Sequence, residues 1–440
     1  LGPPLPPVLQ FGISGWASQP ELSRISRLRR AIWYHWGWQI LVSYFLGVSL
    51  LRTFVLALIK IAIGVAIGLA SVEVGLRSFG ISYPIFFVPE PIAGARMWPN
   101  LKAWFTHEGR GYIEVNSIGY RDHDHPKRRP DGEFRFALLG DSMTEALQVP
   151  FEDTYWNVAR RELQGCEALS GRTPVPLNFA ISGFGTAQQL EVLRNIVWDY
   201  DPDLVLLAFV PNDITDNHPA YGSTHLKPYY VFDDSGALVL DDSFKTSPEF
   251  LRRMSPLVSL RRNLIQNSRV LQLLVEIRTE YYRRTGLAQM KSRAGKFNQP
   301  SPTGTVREAW SLTEALLARV AEDVAAHDRD FLLLVTTSGH QVHPDPEYLK
   351  RRLEIETTSD LYYWNRRISS FATDIGIEHV SLAEPFVTYA TENETCLHGF
   401  ENSVPCGGHW NSKGHLIAGQ LLADAICNQL TAADGVEPAS

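Results

Sequence analysis

The chain has 440 residues, long for one domain, so one large domain with appendages is expected. Apolar content of 45% and charged content of 20% are ordinary for a globular protein with a real core. The formal charge of −7 is spread along the chain without a basic stripe, which argues against nucleic-acid binding.

Residues 1–52 read as an uncertain N-terminal extension, Pro-rich at first and then basic at Arg24, Arg27, Arg29 and Arg30. The first methionine is Met97, so the chain starts from a non-standard codon, is a fragment, or carries an upstream extension. Ala31 to Leu51 is apolar but wetter, and Trp33, Tyr34, Trp36 and Trp38 suit an interface belt. Residues 53–72 are nearly all apolar, with Lys60 the one charge. Twenty residues at 1.5 Å rise span about 30 Å, the thickness of a bilayer core. Only Arg52 separates the two stretches, too short a loop for two antiparallel spans, so a single transmembrane anchor is expected over 53–72. A cleaved signal peptide or a buried core helix are the alternatives. Arginines are denser before the span than after it, which leaves the N-terminus in the cytoplasm and the rest outside.

Residues 81–130 form a Pro-, Gly- and aromatic-rich lead-in. An α/β alternation starts at Phe134. Strand 134–139 precedes a helix near 153–164, strand 176–181 precedes helix 186–200, and strand 203–210 ends at Pro211-Asn212-Asp213. The rhythm breaks over about 214–303, where a polar loop leads to a helix-like stretch near 256–284 punctuated by arginines. This segment reads as an insertion or lid, or as mere decoration. The alternation resumes with helix 306–327, strand 330–336, helix 360–375, strand 377–381 and helix 412–429. Five strands alternating with helices predict a doubly wound, mainly parallel five-stranded sheet over 131–430.

Gly140-Asp141-Ser142-Met143 ends the first apolar run, and a serine there sits at the C-terminal edge of a sheet, where α/β folds place their chemistry. Asn178-Phe-Ala-Ile-Ser-Gly183-Phe-Gly185 ends the second run, and Asn212-Asp213 ends the third. His409 lies in Gly407-Gly408-His409-Trp410-Asn411. Ser, Gly, Asn and His in this order resemble the SGNH (GDSL-type) hydrolase family, and Asn116-Ser117-Ile-Gly119-Tyr-Arg121-Asp122 resembles the lead-in of its bacterial membrane-anchored members. The resemblance covers roughly residues 111–215 and 395–425 well and the middle weakly. It implies Ser142 as nucleophile and His409 as base. It implies an oxyanion hole from the backbone N–H groups of Ser142 and Gly183 and the side-chain amide of Asn212. His415 looks like a structural helix histidine.

The sequence departs from the family at one place. Where an aspartate usually precedes the histidine by two or three residues, this chain has Cys406 and Gly407. The orienting carboxylate is then either missing, as in family members that work as Ser-His dyads with a backbone carbonyl holding the imidazole, or comes from elsewhere, with Asp141, Asp213 and Glu401 as the candidate substitutes. Cys396 and Cys406 bracket the loop beside His409 and are candidates for a disulfide in an oxidising compartment. Four cysteines are too few for a disulfide scaffold, and none has Cys-x-x-Cys spacing. His340 and His343 lack a clear third ligand nearby, so no metal is expected, and no cofactor. The resemblance thus implies a membrane-anchored, extracytoplasmic (periplasmic) serine esterase acting on O-acyl esters of cell-surface polysaccharide or lipid. Its rivals are an O-acyltransferase using the same site and an inactive fold serving as a carbohydrate-binding or assembly protein.

Overall fold

The computed structural model of the chain describes residues 19–285, 297, 302–345, 347–348, 351 and 360–433. The Pro-rich start and much of residues 286–301, at the end of the expected insertion, lie outside the described residues. The chain divides into two units, 1–79 and 80–440.

The first unit is one helix, α1 (Gln19–Ser78). No break separates residues 31–51 from 53–72, so the expected anchor is part of a longer helix. Residues Trp33–Ser78 contain an 18-residue window of mean hydropathy 2.4, and none of that window is buried. By length and composition α1 can cross a membrane: its 46 apolar-rich residues reach about 70 Å, against a hydrocarbon core of about 30 Å.

The second unit is built on five parallel strands: β5 (Glu133–Leu139), β6 (Thr173–Asn178), β7 (Leu204–Phe209), β10 (Asp330–Val335) and β11 (His379–Ser381). Their spatial order is β11-β10-β7-β5-β6, the expected doubly wound sheet. The central strand β7, Leu-Val-Leu-Leu-Ala-Phe, is buried throughout, because helices cover both faces of a parallel sheet. On one face Phe134, Phe136 and Leu138 pack with α3 (Tyr155–Glu162) and α12 (Ser412–Ala433). On the other, Ala137 and Leu139 share a core with residues of α4 (Thr186–Asn195), α9 (Gly304–Ala326) and α10 (Tyr363–Asp374). A further helix, α11 (Ala383–Glu392), falls where no element was expected. The second strand lies three residues earlier than expected, since its ladder with β5 ends at Asn178 and residues 179–181 already belong to the loop above the sheet.

Two antiparallel hairpins organise the lead-in, β1 (Phe87–Glu90) with β2 (Gly94–Met97) and β3 (Lys102–Phe105) with β4 (Gly111–Glu114). The inserted segment is not purely helical. It opens with α5 (Asp213–Asp216) and a third hairpin, β8 (Tyr229–Phe232) with β9 (Leu238–Asp241). Next comes α6 (Pro248–Met254), where no helix was expected, and the helix-like stretch expected near 256–284 divides into α7 (Pro256–Asn267) and α8 (Arg269–Arg284). Proline at the first position of α6 and of α7, each behind a serine, sets the first two starts. Cys166 is bonded to Cys427 and Cys396 to Cys406. The first bridge was not expected; it ties the end of the α3 region to α12 across 261 residues.

Candidate active site

Strand order decides where the site lies. β5 is followed by β6 on one side and neighbours β7 on the other, so the path reverses at the C-terminal end of β5, the crevice where α/β sheets bind ligands. Ser142 opens the single-turn helix α2 (Ser142–Glu145) directly after β5. Asp141 caps that turn, its Oδ1 accepting from the Met143 N–H at 2.9 Å. Gly140 is required here, because a Cβ would meet Thr144 Oγ1 at 2.4 Å. Beneath the turn lies Arg121, fully buried, whose guanidinium donates to the carbonyls of Glu145 and Ala146 and, at 2.7 Å, of Val149. The lead-in motif therefore buttresses the serine turn.

Ser142 and His409 meet. The Ser142 hydroxyl donates to His409 Nε2 at 2.8 Å. The opposite ring nitrogen is not held by a backbone carbonyl. His409 Nδ1–H donates to Glu108 Oε2 at 2.5 Å, and the His409 backbone N–H donates to Glu108 Oε1 at 3.0 Å. This corrects the dyad expectation: the carboxylate beside the histidine is Glu108, from the loop between β3 and β4. None of the three candidate acids fills that position. Asp141 caps the serine turn and accepts from Asn212 Nδ2 at 2.9 Å. Asp213 is buried and accepts from the Val210 N–H at 2.9 Å. Glu401 is exposed.

Gly408 explains how a distant glutamate replaces an adjacent aspartate. It holds φ at +72°, and a Cβ there would meet Glu108 Oε1 at 2.1 Å. Asn402 pins the Glu108 loop, accepting from the Gly109 N–H at 2.8 Å and donating to the Gly109 carbonyl at 3.0 Å. The histidine loop is itself tied down. Disulfide Cys396–Cys406 closes it. Buried His398 bridges the Gly408 carbonyl at 2.8 Å and Thr337 Oγ1 at 3.1 Å, just past the end of β10. Burial lowers the His398 pKa to about 4, so it acts as a neutral hydrogen-bonding spacer. His415 is likewise structural: buried in α12, it accepts the Tyr155 N–H at Nδ1 (3.2 Å), and burial lowers its pKa to about 3.

The electrostatics of the pair favour a charge-assisted bond. Burial works against a charged His409, but the Glu108 carboxylate outweighs it and the pKa lies above the ordinary histidine value. Burial likewise opposes ionisation of Glu108, yet the bonds from His409 hold its pKa below the ordinary value.

The expected oxyanion groups lie on the loops above the same sheet edge. Gly183 follows β6 with φ +81°. Among the described residues, the N–H groups of Ser142 and Gly183 have no hydrogen-bond partner. Asn212 follows β7, and its Nδ2 donates both to Asp141 Oδ2 at 2.9 Å and to Asp216 Oδ2 at 3.3 Å. Asn212 is therefore held by carboxylates, and one of these bonds has to open for the amide to serve an oxyanion.

Two residues missed in the sequence complete the surroundings. Lys227, buried, places Nζ 3.4 Å from both the Gly183 carbonyl and Asp216 Oδ1. It is a cation paired with Asp216 and near Asp213; burial lowers its pKa, with Asp216 acting against that. Glu145, buried, accepts from both the hydroxyl and the N–H of Ser182 and so ties the serine turn to the Gly183 loop. Burial raises its pKa to about 7. His343 stacks on Tyr348, and His340 Nδ1 lies 2.8 Å from the Tyr348 hydroxyl.

No family model matches this chain, and no curated protein gives a significant match. Among solved structures, an acetyl xylan esterase is 13% identical with TM-score 0.34, covering 67% of this chain and 99% of that chain. A mutant of Axe2, an acetylxylan esterase from Geobacillus stearothermophilus, is 12% identical with TM-score 0.34, covering 68% and 94%. A GDSL-like lipase from Bacteroides thetaiotaomicron is 13% identical with TM-score 0.31, covering 70% and 93%. Identities and scores this low leave the chemistry to be read from this chain's own side chains.

Proposed function

We propose that this chain is a serine ester hydrolase working through a Ser142–His409–Glu108 triad. The observation that carries the reading is the continuous relay of Ser142 Oγ to His409 Nε2 (2.8 Å) and His409 Nδ1 to Glu108 Oε2 (2.5 Å). Ser142 Oγ attacks the ester carbonyl carbon while its proton passes to His409 Nε2. The carbonyl oxygen takes up the electron pair and is stabilised by the Ser142 and Gly183 N–H groups, with the Asn212 amide swinging to join them. Glu108 stabilises the imidazolium. Collapse expels the alcohol, which takes the proton from Nε2. Water, giving its proton to the same nitrogen, then releases the acid and restores Ser142.

The His409 side chain is 27% exposed, so water reaches the base, which supports hydrolysis over transfer to another acceptor. The inactive-fold reading drew its support from the missing aspartate, and Glu108 removes that support. The substrates proposed are O-acyl esters of cell-surface carbohydrate or lipid, as the family resemblance implies. An extracytoplasmic location is supported by the apolar helix α1 and by two disulfides, which persist in oxidising compartments.

The test is hydrolysis of p-nitrophenyl acetate together with labelling by a fluorophosphonate. Wild type is expected to turn over the ester and take the label at Ser142, and Ser142→Ala to lose both while keeping its circular dichroism and melting temperature. Activity or labelling near wild type in Ser142→Ala would refute the assignment.

A further inference from the structure

The inserted helices α6–α8 carry a surface that the hydrolase reading does not use. Leu257, Leu260 and Leu264 recur at helical spacing on α7 and are 80%, 56% and 56% exposed. On α8, Leu274, Ile277 and Tyr281 are 57%, 58% and 63% exposed. Residues 248–284 also hold eight arginines against three glutamates, a local charge of +5 in a chain of net charge −7. Arg261 and Arg278, both exposed, border the apolar stripes. Large apolar side chains interleaved with arginine on a helix surface are the signature of helices that lie in a membrane interface and contact anionic headgroups.

A second observation gives the surface its partner. The segment that follows α1 in the chain is fastened to these same helices. The Tyr83 N–H donates to Gln272 Oε1 at 3.0 Å, and the Ile85 N–H donates to Gln266 Oε1 at 2.8 Å. Gln272, on α8, is buried, and its Nε2 donates in turn to the Gln266 carbonyl of α7 at 2.8 Å. Only four residues separate Ser78, the end of α1, from Tyr83, and that length of chain extends at most about 18 Å. The chain that leaves α1 is therefore held by the α7–α8 pair within a few residues of the helix end.

We propose that α6–α8 form an interfacial docking surface for an anionic lipid bilayer, seating the hydrolase unit on the membrane in which α1 is anchored. The inference rests on α1 being a membrane helix. The leucines and tyrosine enter the headgroup–acyl boundary, and the arginines take the lipid phosphates. The insertion is then an orientation device and not a lid.

The test uses the full chain reconstituted into liposomes of phosphatidylcholine with phosphatidylglycerol. The four native cysteines are paired, so one added cysteine takes an environment-sensitive NBD label at Leu260, Leu274 or, as a control, the exposed Thr373. Nitroxide quenchers on the lipid chains are expected to quench labels at 260 and 274 at least about twofold more than at 373. Arg261→Gln with Arg278→Gln, or liposomes of phosphatidylcholine alone, should at least halve that difference. Equal quenching at all three positions, in chains whose α1 resists carbonate extraction, overturns the docking surface while leaving the anchor intact. Extraction of the chain by carbonate overturns both. Shielding of the 260 and 274 labels in detergent without lipid, rising with protein concentration, would show a protein partner and also overturn the proposal.

Discussion

Replacing Glu108 by Gln changes one atom and asks two questions of the site. Glu108 accepts two hydrogen bonds from His409, one from Nδ1–H and one from the backbone N–H, through its two oxygens. A glutamine has one oxygen and one NH₂ group, so it cannot accept both. If its oxygen keeps the backbone N–H, its NH₂ faces Nδ1 and drives the imidazole into the tautomer with the proton on Nε2. That nitrogen can then no longer accept the Ser142 proton, and such a reversal costs on the order of 10⁴-fold in kcat. If the oxygen keeps Nδ1–H instead, the tautomer survives but the negative charge is gone. Two unit charges about 4 Å apart at an effective dielectric of about 20 interact by about 4 kcal/mol, or roughly 10³-fold in rate. Both routes place Glu108→Gln at about 10³–10⁴-fold lower kcat, with KM for a small ester little changed. Steady-state hydrolysis of p-nitrophenyl acetate and the rate of fluorophosphonate labelling measure it, with the melting temperature as a check on folding. A variant within tenfold of wild type, correctly folded, would refute Glu108 as the triad acid and return the site to a dyad.

The pH dependence has a defined sign. His409 must be neutral at Nε2 to act as base, and Glu108 holds its pKa above the ordinary 6.5, so kcat/KM should fall as pH drops, with a midpoint above that value. In Glu108→Ala the midpoint of the residual activity should move to lower pH, and an unmoved midpoint would show that another group sets it. Gly408→Ala should reduce kcat by at least about 10²-fold, because its Cβ falls 2.1 Å from Glu108 Oε1 and displaces the carboxylate from His409; wild-type activity in that variant would mean the approach is looser than described. The double variant Cys166→Ala with Cys427→Ala should lose about 2–4 kcal/mol of stability in urea unfolding while its kcat, measured where it is folded, stays within a few fold, since that bridge joins α3 to α12 away from the serine turn.

What the sequence made legible follows a physical rule. Ser142, Gly183 and Asn212 each sit in the loop that follows a strand, so a local pattern, apolar run then polar turn, places them near the sheet edge, and the family resemblance gave them roles. His409 precedes a helix with a clear start, and it was picked out by the family resemblance of the block around it. That five strands build a parallel, doubly wound sheet followed from their alternation with helices. Glu108 carried no such signal. It lies in the turn Thr106-His107-Glu108-Gly109-Arg110, and its partner is 301 residues away. Only the pair of glycines before His409 hinted that something else must approach there, and Gly408 is the position that admits it. Lys227 was hidden for a related reason: a lysine in a polar loop reads as solvated, and its burial depends on how the loop folds back over Gly183. The break between α7 and α8 follows an Asn-Ser step inside a continuous amphipathic pattern, which periodicity alone runs together.

These two hidden residues divide the site by origin. The proposed reacting and oxyanion groups all hang from the edge of the sheet or from the loop that leads into its last helix. The charges that set their state come from outside the βα units, Glu108 from the lead-in hairpin and Lys227 from the inserted segment. The sheet edge alone would thus keep Ser142, Gly183, Asn212 and His409. It would lose the anion proposed to stabilise the imidazolium and the ammonium that pairs with buried Asp216. A buried carboxylate left without its cation is costly in a low-dielectric interior. The lead-in and the first part of the insertion are on this argument integral to the active site. They fix its protonation and its geometry together, and a chain that kept only the sheet and its helices would retain the motif order without a working base.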